Sequence, residues 1–167
     1  MELISTHICK ASDIGIHNNM FGGTLVGWVD EASAVYSAQI CDTPRMITIK
    51  VDEFIFKKPT KLGNIIKIYG EVSEFGNTSI TLYIEARKHN VYTGIQEIVT
   101  HTKMKFVRID DEGNPIRISN RVKERYWKRL KQFGKGLLST EERILEDETK
   151  NNPLNNNTLP YHKDFYL

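Results

Sequence analysis

The sequence predicts an α+β domain in which a curved antiparallel sheet wraps around one long central helix, followed by a C-terminal helical extension. Three observations predict it: one strongly apolar helical stretch, a set of alternating stretches after it joined by turn signals, and a change to basic, helix-like sequence past Ile116. The chain has 167 residues, 40% hydrophobic and 26% charged, with a formal net charge of +2. That is enough for one domain with its own core and too short for two of ordinary size. The near-balanced charge gives the body no reason to coat nucleic acid, and no run of about 18 apolar residues is present to insert into a membrane.

The elements follow in order. A first strand is expected near Leu3 to Cys9. From Gly22 to Cys41, the residues Leu25, Val26, Trp28, Val29, Ala32, Ala34, Val35, Tyr36, Ala38 and Ile40 surround the helical wheel, the pattern of a helix buried on all sides. Ile47, Ile49 and Val51 then alternate with Thr48 and Lys50, and Phe54 and Phe56 extend the stretch, which predicts a long strand. Ile66, Ile68 and Val72 alternate with Lys67, Tyr69 and Glu71. Ile80, Leu82, Ile84 and Ala86 alternate with Thr81, Tyr83, Glu85 and Arg87, so both stretches predict strands with one wet face.

The loop Ser73 to Thr78, with Gly76-Asn77 at its tip, joins those two strands as a hairpin. A second hairpin through Asn90 to Gly94 leads to the last strand, Ile95 to Ile109, with Thr102, Met104 and Phe106 on one face, and Asp110 to Pro115 reverses the chain. Past Ile116, Arg121, Lys123, Arg125, Lys128, Arg129 and Lys131 fall on a helix capped by Ser119 or Asn120. Its stripe Val122, Tyr126, Leu130 and Phe133 is expected to pack on the sheet exterior or on a neighbouring subunit. A short helix is expected from Ser139, and Asn151 to Thr158 is Asn-rich and loose. The domains are therefore residues 1–116 and the extension 117–167. Cys9 and Cys41 lie far apart without metal spacing, and the opening MELISTHICK lacks the apolar run of a signal peptide. Free thiols in a reducing cytoplasm, with no metal, are the expectation.

One residue in the central helix needs a physical reason. Asp30 is a carboxylate in an apolar helix, seven residues after Gly23 and so on nearly the same side, with Gly27 and Ala34 near it. Small side chains with one acid among them form a groove for a slim ligand. Gly22 and Gly23 offer backbone amides at the positive helix start, where an oxyanion or polarised carbonyl is stabilised. Seven residues at 1.5 Å rise separate the two features by about 10 Å, whereas a reacting carbon must lie within about 3 Å of both. If both serve one reaction, they come from opposite subunits of a dimer. A structural reading stands beside this one: Asp30 caps a loop or pairs with Lys50, and the glycines allow close helix-to-sheet contact.

The run Asn19-Met20-Phe21-Gly22-Gly23 followed by Asp30-Glu31-Ala32 resembles the helix signature of hotdog-fold acyl-CoA thioesterases of the YciA and cytosolic brain acyl-CoA hydrolase type. Phe56-Lys57-Lys58-Pro59, Leu62-Gly63-Asn64 and Gly76-Asn77-Thr78-Ser79 follow in the family's order. The resemblance covers about residues 5–112. It implies a hotdog fold and hydrolysis of an acyl-CoA to a free acid and coenzyme A, without a cofactor, coenzyme A being part of the substrate and product. It further implies Asp30 as base or nucleophile, Asn19 assisting from the opposing subunit, and Gly23 with Gly22 binding the oxyanion.

The assembly so implied is a homodimer at minimum, extending to a tetramer or a trimer of dimers. The phosphates and adenine of coenzyme A call for cations and donors, for which Lys57, Lys58, Asn77, Thr78 and Ser79 are candidates, with simple solvation of the lysines as the alternative. His17 and Asn18 depart from the family's loop, and are candidate substrate contacts there. Asn64 replaces a common acid, and the sequence past Ile116 has no counterpart. The rival function is a non-catalytic acyl-CoA-binding or regulatory hotdog module.

Overall fold

The computed structural model describes residues 1–132; Phe133, the helix expected from Ser139 and the stretch Asn151 to Thr158 lie outside the described residues. The strands are β1 (Glu2–Ile8), β2 (Met46–Val51), β3 (Ile65–Phe75), β4 (Ser79–His89) and β5 (Gln96–Arg108), and the helices α1 (Gly22–Cys41) and α2 (Asn120–Gln132). All strand pairs are antiparallel, in the order β1-β3-β4-β5-β2. The single long helix α1 packs across one face of this sheet and touches all five strands. This is the hotdog architecture the resemblance implies.

The core lies between α1 and the sheet. Ile66, Ile68 and Val72 of β3, Ile80, Leu82 and Ile84 of β4, and Met104 and Phe106 of β5 meet Leu25, Val29, Tyr36 and Ile40 of α1. Gly70 allows the close approach of helix and sheet, because a Cβ there would lie 3.1 Å from both the Tyr36 ring and Ile84 Cδ1. Buried Ser33 and Ser37 do not break the core. Their hydroxyls donate to the Val29 and Ala34 carbonyls, at 2.6 and 2.8 Å, within the helix.

Two expectations are corrected. The first is that α1 is buried on all sides: Gly23, Gly27, Glu31, Val35 and Gln39 form an exposed strip, with Val35 52% exposed. Among the described residues one sheet and α2 cover the helix, and this strip lies on the side away from them. The second is that the far face of β4 is wet. Tyr83 and Glu85 are 3% and 0% exposed, since Arg87 folds back onto the Glu85 carboxylate and over the Tyr69 ring, 5.1 Å from its centroid. Long side chains close over that face.

Strand β2 is shorter than the alternation from Ile47 to Phe56 predicts. A register shift between Thr48 and Lys50 breaks its ladder with β5. The chain still follows β5, with Asp52 N–H donating to Lys103 O at 2.9 Å and Lys57 N–H to Val99 O at 2.8 Å. As the edge strand, β2 leaves Ile47, Ile49 and Val51 exposed by 42%, 52% and 43%.

Helix α2 closes the core beside α1. Val122 and Tyr126 are buried in the same hydrophobic cluster, and Tyr126 Oη accepts the Val72 N–H at 2.9 Å. Arg125 donates to the Ile40 carbonyl at 3.1 Å and to Asp42 Oδ2 at 2.6 Å. That places a cation at the negative end of α1. Cys9 and Cys41 are both buried free thiols, and burial pushes Cys41 up to about 11. Among the described residues no helix is long and apolar enough to cross a membrane.

Candidate active site

The approach to α1 is a short loop tied down on both sides. Gly15 N–H donates to Asn19 O at 2.8 Å, Phe21 N–H to Asp13 O at 2.7 Å, and Met20 N–H to Thr60 O at 2.7 Å. Asn18 takes the left-handed conformation, φ 56°, that lets the loop turn so tightly. The chain then enters α1 with Phe21 as N-cap, and no side chain caps the helix start. The first amides of the helix, from Gly22 and Gly23, therefore have no acceptor within it.

At this helix start opens a cavity of about 400 Å³. Met20, Leu25, Phe56, Pro59 and Val99 form its apolar wall, and Asn19, Gly22 and Thr60 complete the lining. The Phe56 ring packs so closely on the helix start that a Cβ on Gly22 would lie 3.0 Å from it. Asn19 Oδ1 and Thr60 Oγ1 are both buried without a hydrogen-bond partner among the described residues.

Lys57 and Lys58 also line the cavity. Lys58 Nζ sits 2.7 Å from Glu97 Oε1, and Lys88 Nζ 2.9 Å from Glu97 Oε2. The hydrogen bonds from Lys58 and then Lys88 hold the Glu97 carboxyl below the usual carboxylate range. Lys58 is thereby tied to β5 through Glu97.

Asp30 lies elsewhere. It is half-buried on α1 and accepts a hydrogen bond from Thr48 Oγ1 at 2.9 Å, while Lys50 pairs with Asp52 at 2.6 Å. The alternative in which Asp30 pairs with Lys50 is therefore not the arrangement in the fold. Around Asp30 the helix surface is open, for a Cβ on Gly27 would meet nothing within 4 Å. Asp30 does not line the cavity that holds Asn19 and Gly22. Eight residues of helix separate Gly22 from Asp30, about 12 Å at 1.5 Å per residue. One chain thus presents an acid and a helix-start cavity at two separate places.

The remaining sequence candidates are distributed as follows. Gly23 lies at the exposed helix start against the Phe21 ring. His17 and Asn18 are exposed at the loop tip outside the cavity lining, and the Asn18 carbonyl accepts from Lys61 Nζ at 3.1 Å. Asn77, Thr78 and Ser79 form the β3–β4 hairpin and do not line the cavity. The Asn77 and Thr78 carbonyls accept from the Ile118 and Arg108 amides, both at 2.9 Å.

Sequence reasoning missed Thr48 and Thr60. Simple alternation puts Thr48 on the wet face of β2, yet it pairs with Phe106, a core residue of β5, and so faces α1. The register shift after it reverses the parity, and only pairing with β5 could reveal that. Thr60 sits in an irregular segment where no periodicity gives a direction.

Residues 17–95 match the family model of the thioesterase superfamily. The acyl-CoA thioester hydrolase YciA of Escherichia coli is 26% identical over 117 residues, covering 68% of this chain and 88% of that protein. A Bacillus subtilis protein named uncharacterized acyl-CoA thioester hydrolase YkhA is 26% identical over 135 residues, 74% of this chain and 78% of its own. Among solved structures, a hexameric hotdog fold thioesterase of Campylobacter jejuni superposes with a TM-score of 0.67 at 28% identity, covering 76% of this chain and 97% of that one.

Proposed function

We propose that this chain, whose residues 17–95 belong to the thioesterase superfamily, hydrolyses acyl-CoA thioesters at a site completed by two subunits. The observation that carries this reading is the separation within one chain. An uncapped helix start with Asn19 beside it lines one cavity, and the acid Asp30 stands open on the same helix beyond reach of it. A second copy brings the two together.

In the composite site the thioester carbonyl oxygen lies against the Gly23 and Gly22 amides of one subunit. Their field stabilises the oxyanion that forms when the carbonyl carbon is attacked. Asp30 of the other subunit takes a proton from water as the water oxygen bonds to that carbon, or attacks the carbon itself and is freed by water afterwards. The Thr48 hydroxyl holds the carboxylate in a fixed rotamer, and Asn19 orients the water or the carbonyl. The C–S bond then breaks, and coenzyme A leaves as the thiolate and takes up a proton.

The assembly reading rests on the β2 edge and the α1 strip. An edge strand carrying Ile47, Ile49 and Val51 in the open is a template for pairing, and Val35 adds exposed apolar area on α1. A homodimer across this edge is the minimal unit, and three such dimers would make a hexamer, the state named for the Campylobacter jejuni structure. Lys57 and Lys58 at the cavity serve the phosphates of coenzyme A, and Asn77, Thr78 and Ser79 contribute from a neighbouring subunit.

Thiol release from a panel of acyl-CoAs, by the parent chain and by Asp30→Ala, tests the activity. Turnover by the parent with a loss of about 10²- to 10⁴-fold in the variant is expected for removal of a general base. An inert parent chain, or a variant at full rate, refutes the reading.

A further inference from the structure

We infer that Lys123 of α2 completes an anion site at the β3–β4 hairpin, fixing the hairpin's shape and setting a positive charge beside it for a phosphate of coenzyme A. The inference rests on the thioesterase reading above and deepens it, by adding a cation from the C-terminal extension to the hairpin residues Asn77, Thr78 and Ser79. Lys123 is half-buried, and its Nζ donates to the Gly76 carbonyl at 2.7 Å, across 47 residues of chain. The next two carbonyls are also taken: Asn77 O accepts from the Ile118 amide and Thr78 O from the Arg108 amide, both at 2.9 Å. Phe75, at the end of β3, meets the rings of Tyr126 and Trp127 edge-on, with centroids 5.8 and 6.1 Å away. The extension thus holds the hairpin at each step from Phe75 to Asn77.

Two features of this arrangement point to an anion. The first is charge. Lys123 gives its hydrogen bond to a main-chain carbonyl and forms no ion pair with a carboxylate among the described residues, so its positive charge is not neutralised there. Holding a long lysine side chain in one geometry costs rotamer entropy, and a single bond to a neutral carbonyl leaves the ammonium two further donors. The second is polarity. With the carbonyls of Gly76, Asn77 and Thr78 engaged, the hairpin has donors rather than acceptors to offer. The Asn77 and Thr78 amides give no hydrogen bond within the described residues, and Asn77 is exposed. Backbone donors beside a fixed cation suit a phosphate, whose oxygens accept charge-assisted hydrogen bonds. Lys57 and Lys58 line the helix-start cavity, which the hairpin does not, so the cation bonded to the hairpin is a different one.

The test uses the full chain as the parent, Lys123→Met and Lys123→Arg. Coenzyme A binding is measured by calorimetry, and kcat and KM are measured for butyryl-CoA and for butyryl-pantetheine, which carries no phosphate. Lys123→Met should weaken coenzyme A binding and raise KM for butyryl-CoA, each about tenfold, with kcat unchanged, as one lost charge-assisted hydrogen bond implies. KM for butyryl-pantetheine should stay within about twofold of the parent, and Lys123→Arg should keep coenzyme A affinity within about threefold. Unchanged coenzyme A affinity in Lys123→Met overturns the inference, and so does a parent that binds no coenzyme A. An equal rise in KM for both substrates, or a fall in kcat for both, also overturns it, because Lys123 would then serve only the packing of α2. A parent that binds coenzyme A yet hydrolyses neither thioester refutes the thioesterase reading, while a tenfold loss of affinity in Lys123→Met would still support the site. Turnover of butyryl-CoA by Lys123→Met at the parent's KM refutes the inference alone.

Discussion

Thr48 Oγ1 donates to Asp30 Oδ1 at 2.9 Å, joining the edge strand β2 to the central helix through the acid on which the proposed chemistry depends. The contact exists because Thr48 pairs with Phe106 and shares its inward face with Met46. Replacing it by valine keeps the shape and removes the donor. Thr48→Val should lower kcat about three- to tenfold with little change in KM, in line with the loss of one hydrogen bond of about 1 kcal/mol. Thr48→Ser should restore the rate. Steady-state thiol release on the three proteins checks this.

The exposed apolar edge of β2 gives a prediction on assembly. Ile49 is 52% exposed beside the register shift, so a lysine there disturbs no core packing in the single chain. Charge on an edge strand opposes pairing. Ile49→Lys should move the protein toward a single-chain mass in light scattering, retain its circular dichroism, and lose thiol release together with the oligomer. Activity that persists in the dissociated form would place the site within one chain.

Helix α2 is held to the sheet by a buried polar contact as well as by apolar area. Tyr126 Oη accepts the Val72 N–H at 2.9 Å, and the residue is 4% exposed. Tyr126→Phe leaves that amide unpaired in the core, which costs about 1–3 kcal/mol. Urea unfolding should show the lower midpoint at an unchanged slope.

Glu97 carries a pH dependence. Lys58 and Lys88 hold its carboxyl below the usual range, so it binds protons less readily folded than unfolded. Its contribution is fully present above the ordinary carboxylate pKa and is lost as pH falls through the depressed folded value. The partly exposed geometry limits it to about 0.2–1 kcal/mol. Glu97→Gln should therefore be less stable than the parent at pH 7. The gap should close in acid, below the folded value, and denaturant midpoints at both pH values read it.

Much of this molecule was legible in its sequence, and the reasons are local. The limits of α1 follow from Gly22 and the apolar run to Cys41, and β3, β4 and β5 follow from strict alternation and Gly-Asn turn chemistry. Asp30 stood out because a carboxylate in an apolar helix is costly. What stayed hidden depends on distant pairing. The inward face of Thr48 follows from its pairing with Phe106 of β5, the burial of Thr60 falls in a segment with no period, and the burial of Glu85 follows from Arg87 and its neighbours closing over it. The open strip on α1 has the same origin, since a helix apolar all round gives no hint of which side the sheet leaves uncovered.

The central claim is that Asn19 and Asp30 act in one site from opposite subunits, and mixing tests it most directly. Asn19→Ala and Asp30→Ala, each impaired alone, are combined in equal amounts under conditions where subunit exchange is verified by mass. Random pairing makes half the dimers mixed, and each mixed dimer holds one intact and one doubly altered site, so thiol release should recover to about a quarter of the parent rate. Recovery to that level is the predicted result. No recovery after complete exchange would contradict it, because a site built within one chain stays impaired in every pairing.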